Sequence, residues 1–466
     1  MVQKYDFIII GGGIGGLNIA YQILKRFPTV SLLVLEKEKH LGGRVFTFHN
    51  EHMDVEAGAG RFNITHTHFL SLLKELDLYH NKTPLVSSAV YAKSDGSGRF
   101  YNSILDSVSL IQEYDNKIVL PEFGFFPDVS KTVQLFWNLS LDLYMGNDTL
   151  PNVGLLTRVI ASGMLESKEY LIKMTLLDYA KTILSSSEVE FLKDSFGYYS
   201  EIVTMNAYDS IRLMRGLDPK NTFFVLKGGL SSVISALEKK IEGYKGARIL
   251  KDKCVSNIHY KDGIFEIKGS SFSYFGWKCI CALPKQVLER FTIFKPIYGS
   301  LAKIKCAPLC RIYSRFSVNS NEGLWFKGLP KFSTNNNLRM VIPISEKTGV
   351  IMISYTDNIF ADFWQRLYKK GGLKDINKEL IRLMKLSTGL DIPEPLETHV
   401  FYWDCGTGYW GVGADSDVLT EHLLHPFLDK PLFICGEHYS NVGQQWMEGA
   451  LETGDRVLKV LHKIEM

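Results

Sequence analysis

The sequence predicts an α/β fold of two interleaved domains: a Rossmann-like nucleotide-binding domain built from separate segments, and an α+β domain with a mixed sheet and a helical block. The chain opens with an apolar run, a glycine-rich turn, a helix and a second strand, which make one βαβ unit. Segments of helical period fill about residues 129–203, and β-branched and aromatic runs bounded by turn residues follow. The expected segments are 1–80, 210–290 and 396–466 for the first domain, and 81–209 and 291–395 for the second.

Composition limits the class of protein and its partners. The chain has 466 residues, of which 45% are hydrophobic, and its 53 basic and 50 acidic residues leave a net charge of +3. We therefore expect no nucleic acid and no anionic membrane as partner. The first residues lack the pattern of a secretory signal, and no stretch approaches the roughly 20 apolar residues of a membrane span. These features predict a cytoplasmic chain without a membrane anchor, in which the sequons at Asn63, Asn138 and Asn147 are chance matches.

Cysteine and histidine patterns favour neither a disulfide nor a metal site. Seven cysteines, an odd number, all lie from Cys254 onward, and none forms a CxxC pair. Several lie in apolar runs such as KCICAL, where free cysteine packs as a small hydrophobic residue. His66 and His68 lie near each other at a predicted helix start, without a third ligand nearby. We expect reduced thiols and no bound metal.

The segment GGGIGGLNIAYQ, at positions 11–22, has the pattern of a dinucleotide cradle. Gly11 permits a tight turn after the strand, Gly13 lets the backbone approach a pyrophosphate, and Gly16 lets the helix pack closely on the strand. Ile14 and Gly15 open the helix, whose N-terminal N–H groups would face the phosphates.

An acidic residue at the end of the next strand extends this cradle. Glu36 ends the run SLLVLE and stands where a carboxylate meets the ribose hydroxyls. An acidic residue there also disfavours a 2′-phosphate, and therefore NADP. The following HLGGR segment adds a turn at Gly42 and Gly43 and a cation at Arg44. These residues leave the choice between NAD and FAD open.

Four segments of the chain carry the most specific pattern: GGGIGG with its downstream Glu36, HLGGR, MDVEAGAGRF, and FICGEHYSNVGQQWMEGALETGDRV. Together they resemble the flavin-containing amine oxidoreductases, a family that includes monoamine, polyamine and L-amino-acid oxidases. The last segment does not resemble carotenoid desaturases, which share the glycine turn, and it implies FAD. The resemblance covers both ends of the chain, whereas the middle matches only in its helical character.

The resemblance implies where the cofactor lies. Gly43 and Arg44 would face its phosphate or flavin side, and the backbone of Val255 its adenine. A helix beginning near Met447 would direct N–H groups at the flavin N1–C2=O edge, where negative charge accumulates on reduction. Gly449 and Gly454 are costly in an ordinary helix, which favours close approach to a flat group. The implied cofactor residues beyond the glycine turn and Glu36 are Gly43, Arg44, Gly60, Arg61, Val255, Gly436, Glu437, Trp446 and Met447.

The cofactor is expected to be bound noncovalently. Some monoamine oxidases attach flavin through a cysteine directly before a tyrosine. Here Gly408 precedes Tyr409, and Cys405 lies three positions further back.

Two aromatic rings are expected to guide the substrate to the flavin. Trp446 matches one position of this pair, and Tyr409 or Trp410 matches the other, with Tyr409 favoured. Arg61 stands where L-amino-acid oxidases carry an arginine that binds the substrate carboxylate in a bidentate way. The alternative for Arg61 is a structural ion pair, for example with Glu56.

The family also holds a lysine near flavin N5 through a water molecule. The segment AKIKCAPLCRIYSRF offers Lys303 and Lys305, whereas matching of the strand places Arg311 at that point. We take Lys305 as the catalytic candidate, and the register stays open.

The resemblance implies oxidation of a C–N bond. A neutral amine would lose its α-hydride to FAD, the imine would hydrolyse, and O2 would accept the electrons as hydrogen peroxide. Arg61 favours an L-amino acid as substrate; a monoamine or polyamine is the alternative. Two other classes are an FAD-dependent desaturase or isomerase of an apolar substrate and an inactive flavin-fold scaffold. We expect a small-molecule partner and allow a homodimer.

Overall fold

The computed structural model describes residues 3–85, 89–101, 153–217, 222–318 and 323–464. The first part of the expected helical block, residues 129–152, lies outside the described residues, as do Asn138 and Asn147. No helix among the described residues is long and apolar enough to cross a membrane.

The strands of the described residues carry the labels used below. They are β1 Lys4–Ile10, β2 Leu32–Leu35, β3 Thr47–His49, β4 Asp54–Glu56, β5 Phe62–Asn63, β6 Lys82–Leu85, β7 Val90–Ala92, β8 Phe100–Tyr101, β9 Phe223–Leu226, β10 Ala247–Leu250, β11 Val255–Lys261, β12 Ile264–Gly269, β13 Ser273–Cys281, β14 Ile304–Arg315, β15 Phe332–Thr334, β16 Met340–Ser345, β17 Val350–Asp357, β18 Glu397–Trp410 and β19 Leu432–Ile434.

The α-helices are labelled in the same way. They are α1 Ile14–Arg26, α2 Thr67–Glu75, α3 Val153–Gly163, α4 Lys168–Leu171, α5 Leu176–Ala180, α6 Ser186–Ser195, α7 Tyr199–Val203, α8 Ala207–Gly216, α9 Ser231–Glu242, α10 Lys285–Leu288, α11 Tyr298–Leu301, α12 Asn358–Thr388, α13 Ser416–Leu424 and α14 Met447–Ile464. Short 3-10 helices lie at Tyr79–Asn81, Thr292–Ile297 and Glu437–Tyr439.

The first large sheet has the strand order β10-β2-β1-β13-β12-β11, and β19 also pairs with β13. Strands β10, β2, β1, β13 and β19 run parallel, whereas β11, β12 and β13 pair antiparallel. Helices α1, α9 and α14 cover one face, and the segment around Phe294 and Leu301 packs on the other. Cover on both faces explains the continuous apolar run of β1. The glycine turn follows at the carboxyl edge of the parallel strands, where such sheets bind ligands.

The second large sheet has the order β18-β14-β17-β16-β15-β7-β8. Its neighbours pair antiparallel except β15 and β7, which run parallel, so the expected mixed sheet is confirmed. Helix α12 packs on this sheet and contains a non-helical residue, Gly372, at φ 62°. Helices α3 to α8 form a separate apolar core, in which the Ser185 side chain and Glu188 make a capping box at α6. The α/β fold class with two domains agrees with this arrangement.

Three elements pack across the expected domain boundaries. Strand β18, at Glu397–Trp410, pairs with β14 of the second sheet, although residues 396–466 were expected in the nucleotide-binding domain. The segment from Phe291 to Leu301 packs in the core of the first sheet instead of the second. Helix α8 crosses the expected boundary at 209/210 and packs with the helical block. The periodicity of apolar residues predicts whether a segment is a helix or a strand. The domain to which that element belongs depends on the elements it packs against.

Two cysteines also depart from expectation. Cys306 on β14 and Cys405 on β18 form a disulfide across 99 residues of sequence, with their Cα atoms 5.2 Å apart. The other five cysteines are free, as expected, and all of them except Cys254 are buried. The two cysteines meet because β14 and β18 are hydrogen-bonded neighbours with a shift in register beside Ala307. Sequence spacing does not reveal this strand pairing.

Candidate active site

A cavity of about 1750 Å³ connects the nucleotide cradle to the second sheet. Its wall includes Gly13 of the glycine turn, Glu36 after β2 and Val255 at the start of β11. It also includes Tyr355 of β17 and Phe401 of β18. A cavity with both domains in its wall is a common location for a ligand site.

Two glycines of the turn, Gly11 and Gly16, leave no room for a side chain, whereas the space beside Gly13 is open. A Cβ on Gly11, at φ +109°, would lie 2.4 Å from the Ala282 carbonyl oxygen, and a Cβ on Gly16 would lie 2.0 Å from that of Gly11. On Gly13, the nearest atom would be the Gly42 oxygen at 3.8 Å. Gly13 is also the N-cap of α1 and offers no side-chain cap. Free space beside an uncapped helix N-terminus fits a pyrophosphate.

Glu36 is held by backbone donors at the cavity wall. Its Oε2 accepts a hydrogen bond from the Gly12 N–H at 2.7 Å, and its Oε1 accepts one from the Glu38 N–H at 2.9 Å. The side chain is buried, and Val255 lines the same cavity. A carboxylate fixed at the end of β2 fits a ribose diol.

Arg44 and Glu437 join the two ends of the sequence. The Arg44 guanidinium forms an ion pair with the Glu437 carboxylate and donates to the Gly406 carbonyl oxygen at 3.0 Å. Glu437 also accepts from the N–H groups of Gly408 at 3.2 Å and Gln445 at 2.9 Å. Burial opposes ionisation of Glu437, but the nearby His438 and Arg44 hold its pKa well below the ordinary value. Glu437 lines the cavity, yet both of its oxygens are already bound within the protein.

The turn before α14 explains the glycines of the C-terminal helix. A Cβ on Gly449 would lie 2.2 Å from the Gly443 carbonyl oxygen, and a Cβ on Gly454 would lie 3.9 Å from Ile19. Gly449 therefore packs against its own preceding turn, and neither glycine lines the cavity, so the structure does not support their expected approach to a flat group. Met447, the first residue of α14, does line the cavity, as does Gly436.

The two expected aromatic residues meet at the cavity. Trp446 and Tyr409 both line it and belong to one apolar cluster. The Trp446 ring stacks on Phe223 with centroids 5.8 Å apart. Trp410, the alternative to Tyr409, is buried in the core of the first sheet and donates from its indole to the Ser440 carbonyl oxygen at 2.9 Å. Successive residues of a strand point to opposite sides, which distinguishes the two.

Arg61 lines the cavity among aromatic side chains. Its Nη2 donates to the Tyr198 hydroxyl at 2.7 Å, and its guanidinium lies 4.3 Å from the centroid of the Phe223 ring. The carboxylate of Glu56 accepts from the Leu230 N–H at 2.7 Å and the Thr47 hydroxyl at 3.0 Å. These contacts do not support the structural pair of Arg61 with Glu56.

Lys305 is the predicted catalytic residue that the structure contradicts. It is exposed, does not line the cavity, and donates to the Ala302 carbonyl oxygen at 3.1 Å; Lys303 is exposed as well. Arg311 is buried and lines the cavity beside Gly60, and its Nη1 donates to the Glu56 carbonyl oxygen at 2.8 Å. The position of a residue along β14 decides whether its side chain faces the cavity. The register of β14 depends in turn on its pairing with β17 and β18.

Two carboxylates in the cavity wall were missed by the sequence reasoning. They are Glu201 on α7 and Asp357 at the end of β17. Burial, and then the charge of Asp357, raise the pKa of Glu201 to about 8, although Arg61 lowers it; burial raises the pKa of Asp357 to about 6. The sequence held only a weak signal for these two residues. Glu201 lies within a short helical segment, and Asp357 ends the apolar strand VIMISYTD.

His66 and His68, where no metal was expected, have separate partners. His66 accepts a hydrogen bond from the Asn63 N–H at 3.1 Å, and burial lowers its pKa to about 4. His68 pairs with Glu448 at 2.8 Å. Among the described residues, three side chains of metal-ligating type lie close together: Cys306, Cys405 and His438. The two cysteines of this group form the disulfide.

Comparison with known proteins gives the same family as the resemblance. A model of the flavin containing amine oxidoreductase family matches residues 14–457. Flavin-containing amine oxidase A of Bos taurus is 40% identical over 77 residues, which cover 16% of this chain and 14% of the bovine protein. An uncharacterized protein of Acanthamoeba polyphaga mimivirus is 22% identical across 98% of this chain and 93% of its own length.

Solved structures share the fold over the whole chain. A putrescine oxidase variant has a TM-score of 0.71 at 12% identity, covering 99% of this chain and 100% of its own. Cyclohexylamine oxidase from Brevibacterium oxydans has a TM-score of 0.67 at 15% identity, covering 100% of both chains. A putative protoporphyrinogen oxidase from Exiguobacterium has a TM-score of 0.64 at 16% identity, again covering 100% of both chains.

The family match extends over nearly the whole sequence, and the cradle formed by Gly13, the start of α1 and Glu36 has the shape and donors that a dinucleotide needs. The chain belongs to the flavin-containing amine oxidoreductase family, and its cofactor is FAD.

Proposed function

We propose that the protein oxidises the C–N bond of an amine, with O2 as the final electron acceptor. The observation that carries this proposal is a continuous cavity with the dinucleotide cradle in one part of its wall and Trp446 and Tyr409 in another. The bound flavin would accept the α-hydride of the amine and pass two electrons to O2, which gives hydrogen peroxide. Hydrolysis of the resulting imine gives a carbonyl product and ammonia.

The proposed cofactor contacts follow from the cavity wall. Gly11, Gly13, Ile14 and Gly15 would hold the pyrophosphate at the start of α1, where Gly16 lets the helix pack closely on the turn. Glu36 would bind the ribose and Val255 the adenine. The residues proposed for the remaining contacts are Gly43, Arg44, Gly60, Arg61, Gly436, Glu437, Trp446 and Met447. We propose that FAD is held without a covalent bond, so acid precipitation of the protein would release it.

In this proposal, the residues of the second part of the cavity position the amine and exclude water. Trp446 is fixed by its stacking on Phe223, and Tyr409 is buried. Burial, followed by the charges of Asp357 and Glu201, raises the pKa of Tyr409 well above its ordinary value. Its phenol therefore stays protonated and cannot serve as a base at neutral pH. A neutral amine needs no separate base, because its own lone pair assists loss of the hydride, and positioning supplies the main catalytic gain.

Arg61 supports the L-amino-acid version of this function. Its guanidinium lines the cavity on the side of Trp446, and Tyr198 and Phe223 fix its position. A planar guanidinium held there could bind a substrate carboxylate through two parallel hydrogen bonds. The second candidate is an amine without a carboxylate, and the presence of Glu201 and Asp357 in the same wall favours it.

A peroxide-coupled screen of L-amino acids, simple amines and polyamines tests these versions. If Arg61 binds a carboxylate, Arg61→Met should raise the KM for the preferred amino acid at least about 10-fold, as expected for loss of a charged hydrogen bond. The exposed Arg26→Met is the matched control and should behave as wild type. Turnover of amines but never of amino acids would contradict the carboxylate role, as would an unchanged KM in Arg61→Met.

The same screen tests the reaction class. No peroxide with any amine, from protein that retains FAD, would contradict amine oxidation and favour a desaturase or isomerase. A cytoplasmic location and a homodimer stay predictions from the sequence.

A further inference from the structure

Resting on the proposed amine oxidation, we propose that Glu201 and Asp357 bind a second cationic nitrogen of the substrate. The substrate would then carry an ammonium group in addition to the amine that is oxidised. Diamines and basic L-amino acids share this chemistry.

The two carboxylates are held together by neighbouring elements. Glu201 lies on α7, and Asp357 is the last residue of β17. The Ser200 N–H donates to Asp357 Oδ2 at 2.8 Å, which fixes α7 to the strand end. Asn358, at φ 52°, donates to the hydroxyls of Ser200 at 3.2 Å and Thr204 at 3.1 Å. Both carboxylates are thereby fixed as parts of the cavity wall.

Each carboxylate has capacity for a further donor. Asp357 Oδ1 is buried without a hydrogen-bond partner, although its side chain is only 6% exposed. Within the described ranges, the Glu201 carboxylate makes no hydrogen bond or ion pair. Asp357 is buried and Glu201 is half-buried, and a carboxylate oxygen shielded from water without a donor is costly. An ammonium ion, with three N–H donors, would satisfy both groups at once.

Two neighbouring arginines favour ionisation of this pair through their charge, but in the described residues no hydrogen bond joins them to its carboxylates. Arg339 is the cation that favours ionisation of Asp357, but its guanidinium donates to backbone carbonyl oxygens of Lys193, Asp194 and Phe196. Arg61 lowers the pKa of Glu201, yet burial and Asp357 keep that pKa at about 8. Binding of a cation at neutral pH would therefore release a proton from Glu201.

The position of the pair indicates a substrate rather than a separate ligand. Both carboxylates line the cavity together with Tyr409 and Trp446, and their charges raise the pKa of Tyr409. A group bound by the pair would therefore share the cavity with the aromatic residues proposed to hold the reacting amine. In a diamine, the pair would bind the distal ammonium. In a basic amino acid, it would bind the side-chain ammonium while Arg61 binds the carboxylate.

Two matched substrate pairs test this inference with the FAD-loaded protein. One pair is 1,4-diaminobutane and 1-aminobutane; the other is L-lysine and L-norleucine. We expect the cationic member of at least one pair to have a kcat/KM at least about 30-fold higher, the effect of charged hydrogen bonds of roughly 2 kcal/mol. The pair that shows the preference identifies the source of the ammonium group.

The isosteric variants Glu201→Gln and Asp357→Asn should each reduce this preference at least about 10-fold. Glu190→Gln, an exposed change on α6, is the control and should retain it. Calorimetric titration of the wild-type protein without O2, in two buffers of different ionisation enthalpy, should show proton release when the cationic member binds. This second readout does not depend on the folding of a variant.

The outcomes separate this inference from the proposed function. Equal turnover of the neutral and cationic members in both pairs would overturn the inference while leaving amine oxidation intact. A preference that both variants retain would overturn it as well. Absence of turnover with all four compounds and with the wider amine screen would instead overturn the proposed function.

Discussion

At the scale of single residues, the cavity combines cations and carboxylates at close quarters. Arg61 and Arg311 line it together with Glu201 and Asp357, so basic and acidic side chains share its wall. Burial, and then the charge of Asp357, raise the pKa of Glu201 to about 8, which favours its protonated form at neutral pH. Arg61, which the family resemblance singled out, therefore lies among ionisable groups that no local motif predicts.

Protonation of Glu201 predicts a pH-dependent stability. Its pKa of about 8 in the folded protein exceeds the ordinary value of 4.5, so between these values unfolding releases its proton. Its contribution to stability is complete below about pH 4.5 and is lost as the pH rises through 8. Glu201→Gln lacks this loss, so its free energy of unfolding should rise relative to wild type, by at most about 1.4 kcal/mol per pH unit.

Urea unfolding at pH 5, 6.5 and 8 measures this difference. The groups facing Glu201 are Asp357, Arg61, Tyr198 and Tyr409, and they are the same in both proteins. Glu190→Gln serves as the exposed control. A difference between Glu201→Gln and wild type that stays constant from pH 5 to 8 would refute the raised pKa.

The glycine turn gives a second prediction at this scale. Gly16→Ala would place its Cβ 2.0 Å from a backbone oxygen, so it should destabilise the fold and lower the yield of folded protein. Gly13→Ala meets nothing nearer than 3.8 Å in the protein, so it should fold normally but occupy the space proposed for the pyrophosphate.

Circular dichroism and the flavin-to-protein absorbance ratio separate these effects. We expect Gly13→Ala to retain its melting curve before FAD is added and to bind FAD at least about 10-fold more weakly. Full FAD affinity in a folded Gly13→Ala protein would contradict the cradle assignment.

At the scale of elements, the disulfide between β14 and β18 lies beside residues that hold Arg44. Gly406, next to Cys405, accepts a hydrogen bond from Arg44, and Gly408 donates to Glu437. The link therefore fixes a strand segment that helps to place the ion pair between Arg44 and Glu437.

Removal of this link should weaken the fold. The double change Cys306→Ser and Cys405→Ser opens a loop of 99 residues and should lower the free energy of unfolding by about 2–4 kcal/mol. Denatured wild-type protein should show five free thiols before reduction, since five cysteines are free. Cys254→Ser, at an exposed free cysteine, is the control and should leave the stability unchanged. Seven reactive thiols in freshly denatured protein would disprove the link.

At the scale of the whole molecule, the active site exists because distant segments meet. Gly13 and Trp446 are more than four hundred residues apart, yet both line one cavity. Helices α1 and α14 pack together, with Gly15 close to Ala450. The second sheet then closes the cavity with β17 and β18. Neither domain contains the proposed reaction site alone.

The sequence by itself determined the strand–turn–helix cradle, Glu36, the family and FAD. These features follow from local signals. A glycine turn, an apolar periodicity and a sequence motif depend on residues that are close in the sequence, so they can be recognised without knowing the tertiary contacts. The motif that precedes α14 predicted Trp446 in the same way, and this residue lines the cavity.

Only the tertiary structure decided which residues of the long strands face the cavity and what lies across from them. It selected Arg311 over Lys305 and Tyr409 over Trp410, joined Cys306 to Cys405, and moved β18 into the second sheet. It also brought Glu201 and Asp357 together from elements more than 150 residues apart. The physical reason is that register, burial and charge environment depend on contacts between segments, and those contacts form only when the chain is folded.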